Sequence, residues 1–190
     1  MKVLLHACCA PCSISCIKTL QNENIEFSLF WYNPNIEPQE EYENRKNCLL
    51  QFAENFTLID ADNTDDPDNT LINTDNKNCE NCYRRRLEKT ALTAAQKGFD
   101  SFSTTLLISP YQNHELIKKT GEQAAAKHGV EFLYKDFRPF FREGQAAARS
   151  MKLYMQKYCG CSASAGSYAG GSAGSCVGGS KQESGVKNGK

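Results

Sequence analysis

The sequence predicts an α/β domain, a mostly parallel β-sheet with helices on both faces. Three observations carry this. Short apolar runs alternate with longer stretches of helical spacing over residues 2–157. The run at residues 25–32 becomes wholly apolar toward its end, as a strand covered on both faces does. The turn after the first apolar run is lined with cysteines, and open α/β sheets gather their ligands at the carboxyl ends of strands. At 190 residues the chain is long enough for one domain with a sizeable core.

Val3-Leu4-Leu5 lies in a first strand over residues 2–6, and residues 13–22 have the spacing of a first helix. Residues 25–32 are the second strand, broken by Asn33-Pro34-Asn35. After Pro38 a long helix runs through about Phe56, and Thr57-Leu58-Ile59 is a short strand. Residues 60–78 form a polar, acidic loop around Asp65-Asp66-Pro67-Asp68, without regular structure. The next helix runs from Cys79 to about Gly98, where glycine stops it. Residues 99–105 give a strand and a turn through Pro110; a helix over 112–128 closes at Gly129. Residues 130–134 are the last strand, and about 143–157 the last helix.

From Ser162 the composition changes to Gly, Ser and Ala. Such a segment cannot bury enough apolar surface to offset its ordering entropy. Residues 1–161 are therefore expected to form the folded domain and 162–190 a disordered tail, with no role assigned to Cys176.

No leader peptide and no bilayer-spanning apolar run is expected, which places the chain in the cytoplasm. There disulfides are rare, so ten cysteines point to metal or redox chemistry. The formal charge is zero but unevenly spread. Residues 1–80 carry five Lys/Arg against fourteen Asp/Glu, and residues 81–157 fourteen against seven. A basic half suits a polyanionic partner. Scattered, solvated helix charges would give the same counts.

The chemistry centres on His6-Ala7-Cys8-Cys9-Ala10-Pro11-Cys12, in a strand-to-helix turn. A helix N-terminus favours thiolates over thiols. Buried apolar packing is the plain alternative for such cysteines. Cys79-x-x-Cys82, at the entry to another helix, supplies the second pair. Four thiolates are what a [4Fe–4S] cluster needs, and structural zinc uses the same number. Zinc usually takes two pairs with intervening residues, so adjacent Cys8-Cys9 tips the balance toward iron–sulfur. Cys12 either holds an additional metal, touches substrate or packs at the helix start; Cys16 and Cys48 read as buried. Cys159-Gly160-Cys161 is either a strained, electron-relaying dithiol or a coincidence at a helix end.

Ser109-Pro110-Tyr111-Gln112-Asn113-His114 offers hydroxyl, amide and imidazole groups beside a helix start, as a binding loop or a helix cap. Tyr32-Asn33-Pro34-Asn35-Ile36 either stabilises a turn or reads a ligand. Tyr83-Arg84-Arg85-Arg86 adjoins the second cysteine pair and suits phosphate, or is a solvated helix face. Asp136-Phe137-Arg138-Pro139 is a salt-bridged turn or a site element.

Taken together and in this order, these motifs resemble the cobalamin-independent, QueH-type epoxyqueuosine reductases. The resemblance rests on residues 4–13, Tyr32-Asn33-Pro34-Asn35-Ile36, Cys79-x-x-Cys82-Tyr83, Arg86-Leu87 and Gly98-Phe99-Asp100. It continues through residues 103–112, Asp136-Phe137-Arg138 and Tyr158-Cys159-Gly160-Cys161, so it spans residues 1–161. It implies a Rossmann-like α/β domain and the last step of queuosine synthesis: reduction of epoxyqueuosine at the tRNA wobble position, removing the epoxide oxygen to leave a cyclopentene. Carried onto this chain, Cys8, Cys9, Cys79 and Cys82 would ligate a [4Fe–4S] cluster, and Cys159 with Cys161 would be a redox-active disulfide. Cys12 would be the extra ligand of a second iron. No cobalamin is implied. The chain departs from the family in its acidic stretch before Cys79, which lacks an expected tryptophan, and in its Gly/Ser-rich tail.

On this reading an iron centre polarises the epoxide oxygen, two electrons are delivered in total, and water leaves. His6 and Tyr111 are candidate proton donors. Asn33, Asn35, Ser109, Gln112 and Arg86 are candidate substrate contacts. The partners are a tRNA, whose modified nucleotide leaves the anticodon-loop stack, and an unidentified electron donor. Two rivals stand beside it. An ATP-using tRNA-modifying enzyme would need a Gly/Ser-rich loop where Cys8-Cys9-Ala10-Pro11 stands, and a zinc-stapled RNA-binding module would bind without turnover.

Overall fold

The structure, a computed structural model, describes residues 1–61 and 79–161. The expectations for residues 62–78, for the tail 162–190 and for Cys176 lie outside the described residues.

Strand β1 (Lys2–His6) is the centre of a five-stranded sheet ordered β3-β2-β1-β4-β5. All pairings are parallel: β1 pairs with β2 (Glu26–Trp31) on one side and with β4 (Ser101–Thr104) on the other. The edges are β3 (Leu58–Asp60) and β5 (Glu131–Phe132). Val3, Leu4 and Leu5 are wholly buried, as a strand covered on both faces requires. Each such side chain stabilises the fold by about 1.5–3 kcal/mol relative to exposure.

The helices are α1 (Ala10–Asn22), α2 (Gln39–Phe52), α3 (Cys79–Gln96), α4 (His114–His128) and α5 (Phe141–Ser150). α1 packs on α5 and α2, and α3 on α4, which gives one helical layer on each face. α1 starts three residues earlier than periodicity indicated, because Pro11 fits its first turn, where no intrahelical N–H is needed. Gly129 closes α4 in the left-handed region at φ 67°, as expected of a glycine stop. Among the described residues no helix is long and apolar enough to cross a membrane.

Two elements depart from expectation. β5 pairs over only two residues, since it lies at the sheet edge and β4 offers it only Ser101 and Phe102. The last helix covers Phe141–Ser150 rather than about 143–157. It stops where Met151 and Lys152 donate back to Ala147 and Arg149, Lys152 taking φ 56°. Residues 151–161 then run as an arm back over α2. Helical spacing is a local signal, whereas this arm is held by partners more than a hundred residues away.

The strand order puts the crevice between β1 and β4, where chain connections leave in opposite directions. His6 pairs in register with Thr104, so the turns that follow both strands meet at one sheet edge.

Candidate metal centre

The turn after β1 and the first turn of α1 hold three buried cysteines whose sulfurs all lie within 4.8 Å of one another: Cys8, Cys9 and Cys12. Cys9 is the N-cap of α1 in extended conformation, and the Ser13 hydroxyl donates to its carbonyl at 2.8 Å. From the β4 side the Thr105 hydroxyl accepts the Cys8 N–H at 3.0 Å and donates to Cys8 Sγ at 3.2 Å.

Without a cation the trio shares its protons unequally. Cys8 is held well below the usual thiol range by hydrogen bonds from Cys12, Cys9 and Thr105, against the cost of its burial. Burial first, then Cys8, pushes Cys9 up. Cys12 is raised by its bonds to Cys8 and Cys9, with burial adding. A metal ion would take all three as thiolates, since thiol ligands deprotonate on binding. The spacing suits one: sulfur ligands about 2.3 Å from a tetrahedral ion stand about 3.8 Å apart. Cys8 and Cys9 sulfurs are 3.8 Å apart. Adjacent cysteines can therefore share one ion, which ligand spacing alone had counted against them.

The other expected ligands lie on the first turn of α3. Cys79 is exposed and Cys82 half-buried. The Cys82 thiol is pushed up by burial, with Arg86 opposing and Cys161 and Cys79 adding to the rise. The expected set Cys8, Cys9, Cys79 and Cys82 thus spans two groups, and Cys12 completes the close trio.

Arg86 joins them. It is 1% exposed, and its Nε donates to Asn35 Oδ1 at 2.7 Å while Nη2 donates to the same oxygen. Burial works against its charge, but Cys82, Cys159 and Cys8 outweigh it and raise its pKa. Asn33 donates from Nδ2 to the Ala7 carbonyl at 3.0 Å, bracing the cysteine turn. Both asparagines keep a buried polar atom without a protein partner, Asn33 Oδ1 and Asn35 Nδ2. His6 is fully buried between Thr104 Oγ1 (2.8 Å) and the Tyr32 carbonyl (3.2 Å). Its pKa is lowered to about 4, by burial and by Arg86, so it is neutral near pH 7.

A pocket opens above Cys8 and Cys12. Thr105, Ser109, Tyr111 and Gln112 form one wall, Phe141 and Gln145 of α5 another, and Gln156, Tyr158 and Cys159 of the arm a third. Of the residues expected at the substrate, Ser109, Tyr111 and Gln112 line it; Asn33, Asn35, Arg86 and His6 do not. Tyr83 donates to Gln112 Oε1 at 2.5 Å, and Gln112 Nε2 points to Cys159 Sγ at 3.7 Å. Asp136 and Arg138 form an exposed ion pair that lowers the Asp136 pKa to about 2 through the Arg138 hydrogen bond. The segment thus carries the salt bridge of the turn reading.

Sequence reasoning missed the arm and what holds it. Gln156 Nε2 reaches Cys9 Sγ at 3.0 Å and Cys12 Sγ at 3.6 Å. Arg45 of α2, 2% exposed, donates from Nη1 to the Cys159 carbonyl at 3.0 Å and from Nη2 to that of Tyr158 at 2.9 Å. Its Nε binds Glu41 Oε1 at 2.7 Å, and Glu41 Oε2 accepts the Tyr154 hydroxyl. The Glu41–Arg45 spacing of four residues on a helix was the one signal available. Gly160 sits at φ 116°, and a Cβ there would stand 3.0 Å from Arg45 Nη1 and 3.1 Å from Ile36 Cγ1. The Cys-Gly-Cys spacer therefore has to be glycine. Cys159 and Cys161 are not disulfide-bonded to each other in this structure.

The clamp predicts an alkaline effect. Burial, then its bond to Glu41, pushes the Tyr154 pKa up to about 12. An unfolded tyrosine ionises near pH ~10. The unfolded chain therefore loses this proton first, and stability falls as pH rises from ~10 to about 12. Denaturant midpoints for wild type and Tyr154→Phe across that window check this; the variant is expected to show the shallower decline.

A parallel α/β sheet ordered around a central β1, with three buried thiols grouped closely enough to hold a metal ion where two strand ends meet, is an arrangement of the Rossmann-like α/β class. A profile of the family described as epoxyqueuosine reductase QueH matches residues 3–167, and this chain belongs to that family. It is 37% identical over 172 residues to the epoxyqueuosine reductase QueH of Thermotoga maritima, covering 84% of this chain and 88% of that one. It is 38% identical over 174 residues to that of Acinetobacter baylyi, with 84% and 78% covered. With that of Dehalococcoides mccartyi it shares 35% over 165 residues, 84% and 90% of the two chains.

Proposed function

We propose that this chain reduces epoxyqueuosine to queuosine at the wobble position of tRNA, the last step of queuosine biosynthesis. The observation that carries the reading is the buried Cys8–Cys9–Cys12 trio at the base of a pocket whose opposite wall presents Cys159.

Cys8, Cys9, Cys79 and Cys82 are the ligands of a [4Fe–4S] cluster in this proposal, and Cys12 holds an additional iron beside it. Iron bound there supplies Lewis acidity toward an oxygen and accepts and gives single electrons. The protein does the rest. Arg86 places a buried positive charge among the anionic sulfurs, which stabilises them and raises their reduction potential. Gln156 donates toward Cys9 and Cys12, with the same sign of effect. Thr105 holds Cys8 in place, and His6 pins β1 to β4 as a neutral group rather than serving as a proton source.

Removing the epoxide oxygen as water consumes two electrons and two protons. Oxidation of Cys159 and Cys161 to a disulfide releases the same number of each, and an external reductant then restores the dithiol. Among the expected proton donors only Tyr111 reaches the pocket. Residues 1–161 are the catalytic domain on this view.

The test is anaerobic reconstitution followed by iron, sulfide and zinc analysis, then incubation of dithionite-reduced protein with epoxyqueuosine-containing tRNA and nucleoside analysis. A brown, dithionite-bleachable protein that yields queuosine is expected. A colourless zinc protein, or an intact iron centre with no conversion, overturns the proposal.

A further inference from the structure

Tyr111 is 45% exposed although it lines the pocket over the thiols. Its ring meets Phe141 edge to face, with centroids 6.1 Å apart and planes at 83°. Such a pair fixes both rings while covering only one ring face with the other's edge. The backbone beneath is set as well: the Tyr111 N–H donates to Ser109 Oγ at 3.3 Å. The turn before α5 is anchored by Phe137, wholly buried, whose N–H donates to the Leu107 carbonyl at 3.3 Å. Two aromatic rings are therefore held in a set arrangement at a pocket mouth, one of them half in water.

Four residues of the stretch 138–157 line the pocket: Phe141, Gln145, Met155 and Gln156. That stretch carries Arg138, Arg142, Arg149, Lys152 and Lys157 against Glu143, with Arg138 paired to Asp136 and Glu143 to Lys18. Positive charge beside exposed aromatic rings is the combination that takes single-stranded nucleic acid, charge for the backbone and ring faces for the bases.

We propose that Tyr111, braced by Phe141, is the stacking platform for the nucleobase that carries the epoxide ring. This rests on the epoxyqueuosine reading above. With the epoxide-bearing ring directed at the pocket floor, the base to which it is attached has to stay at the rim, where Tyr111 stands. Tyr111 is then a positioning residue through its ring, and binding of the base does not need its hydroxyl.

The experiment compares reconstituted wild type, Tyr111→Phe and Tyr111→Ala. Kd for an epoxyqueuosine-containing anticodon stem-loop is measured by fluorescence anisotropy at low and high salt, and KM and kcat are measured with the tRNA. Stacking is worth about 1–3 kcal/mol per base, so Tyr111→Ala is expected to raise Kd and KM about tenfold or more. The Kd ratio to wild type should be the same at both salt levels, because a lost ring contact, unlike a lost phosphate contact, leaves the salt slope unchanged. Tyr111→Phe is expected to restore the wild-type Kd. Exposure of the side chain keeps these changes out of the core, and matching melting curves confirm folding. An unchanged Kd in Tyr111→Ala while wild type converts its substrate overturns the platform alone. A kcat loss in Tyr111→Phe equal to that in Tyr111→Ala, with unchanged Kd, overturns it in favour of the hydroxyl. Failure of wild type to convert the tRNA overturns the functional reading first.

Discussion

Cys8→Ser is expected to abolish stoichiometric metal loading and to lower conversion of epoxyqueuosine-containing tRNA by more than about 100-fold. That factor is the loss reached when only a hydrogen-bond partner of a metal ligand is removed. Cys8 is the thiol already favoured as a thiolate, it stands 3.8 Å from Cys9, and it lines the floor of the pocket. A serine hydroxyl in its place stays protonated at neutral pH and is a poor ligand for soft metals. Cys16 provides the contrast. It is equally buried one turn along α1, its thiol is pushed up mainly by burial, and it does not line the pocket. Cys16→Ala is expected to keep full metal content. Iron-to-protein ratios for the two variants decide the point: full loading in Cys8→Ser sinks the assignment of the trio as the metal centre.

Glu41→Leu is expected to cost about 3 kcal/mol or more and to lower the melting temperature by about 10 °C. The change leaves the Arg45 guanidinium buried without its carboxylate and removes one partner of the Tyr154 hydroxyl. Taking one partner from a buried ion pair is far more damaging than taking both, so adding Arg45→Met should recover much of the stability. It should not recover turnover, because the Tyr158 and Cys159 carbonyls still lack the donors that place the Cys-Gly-Cys segment. Thermal melts and initial rates on the single and double variants separate the two effects. A double variant that regains both stability and rate would show that Arg45 has no part in positioning the dithiol.

The sequence by itself determined the alternation of strands and helices, the cysteine turn after β1, the helix beginning at Cys79 and the polar cluster Ser109-Pro110-Tyr111-Gln112 after the fourth strand. Each is a local matter: a run of apolar residues, a proline in a first turn, a glycine stop, or a polar cluster beside a strand end. Only the tertiary structure decided which of these groups meet. It turned Asn35 and Arg86 toward each other and enclosed His6 between two strands. It also ended α5 at Ser150 and laid the arm across α2, so that Gln156 reaches Cys9 from 147 positions away. Periodicity reports which face of an element is buried, but not what buries it. The partners of a buried charge or a thiol are chosen by chain segments distant in sequence, and no local pattern records that choice.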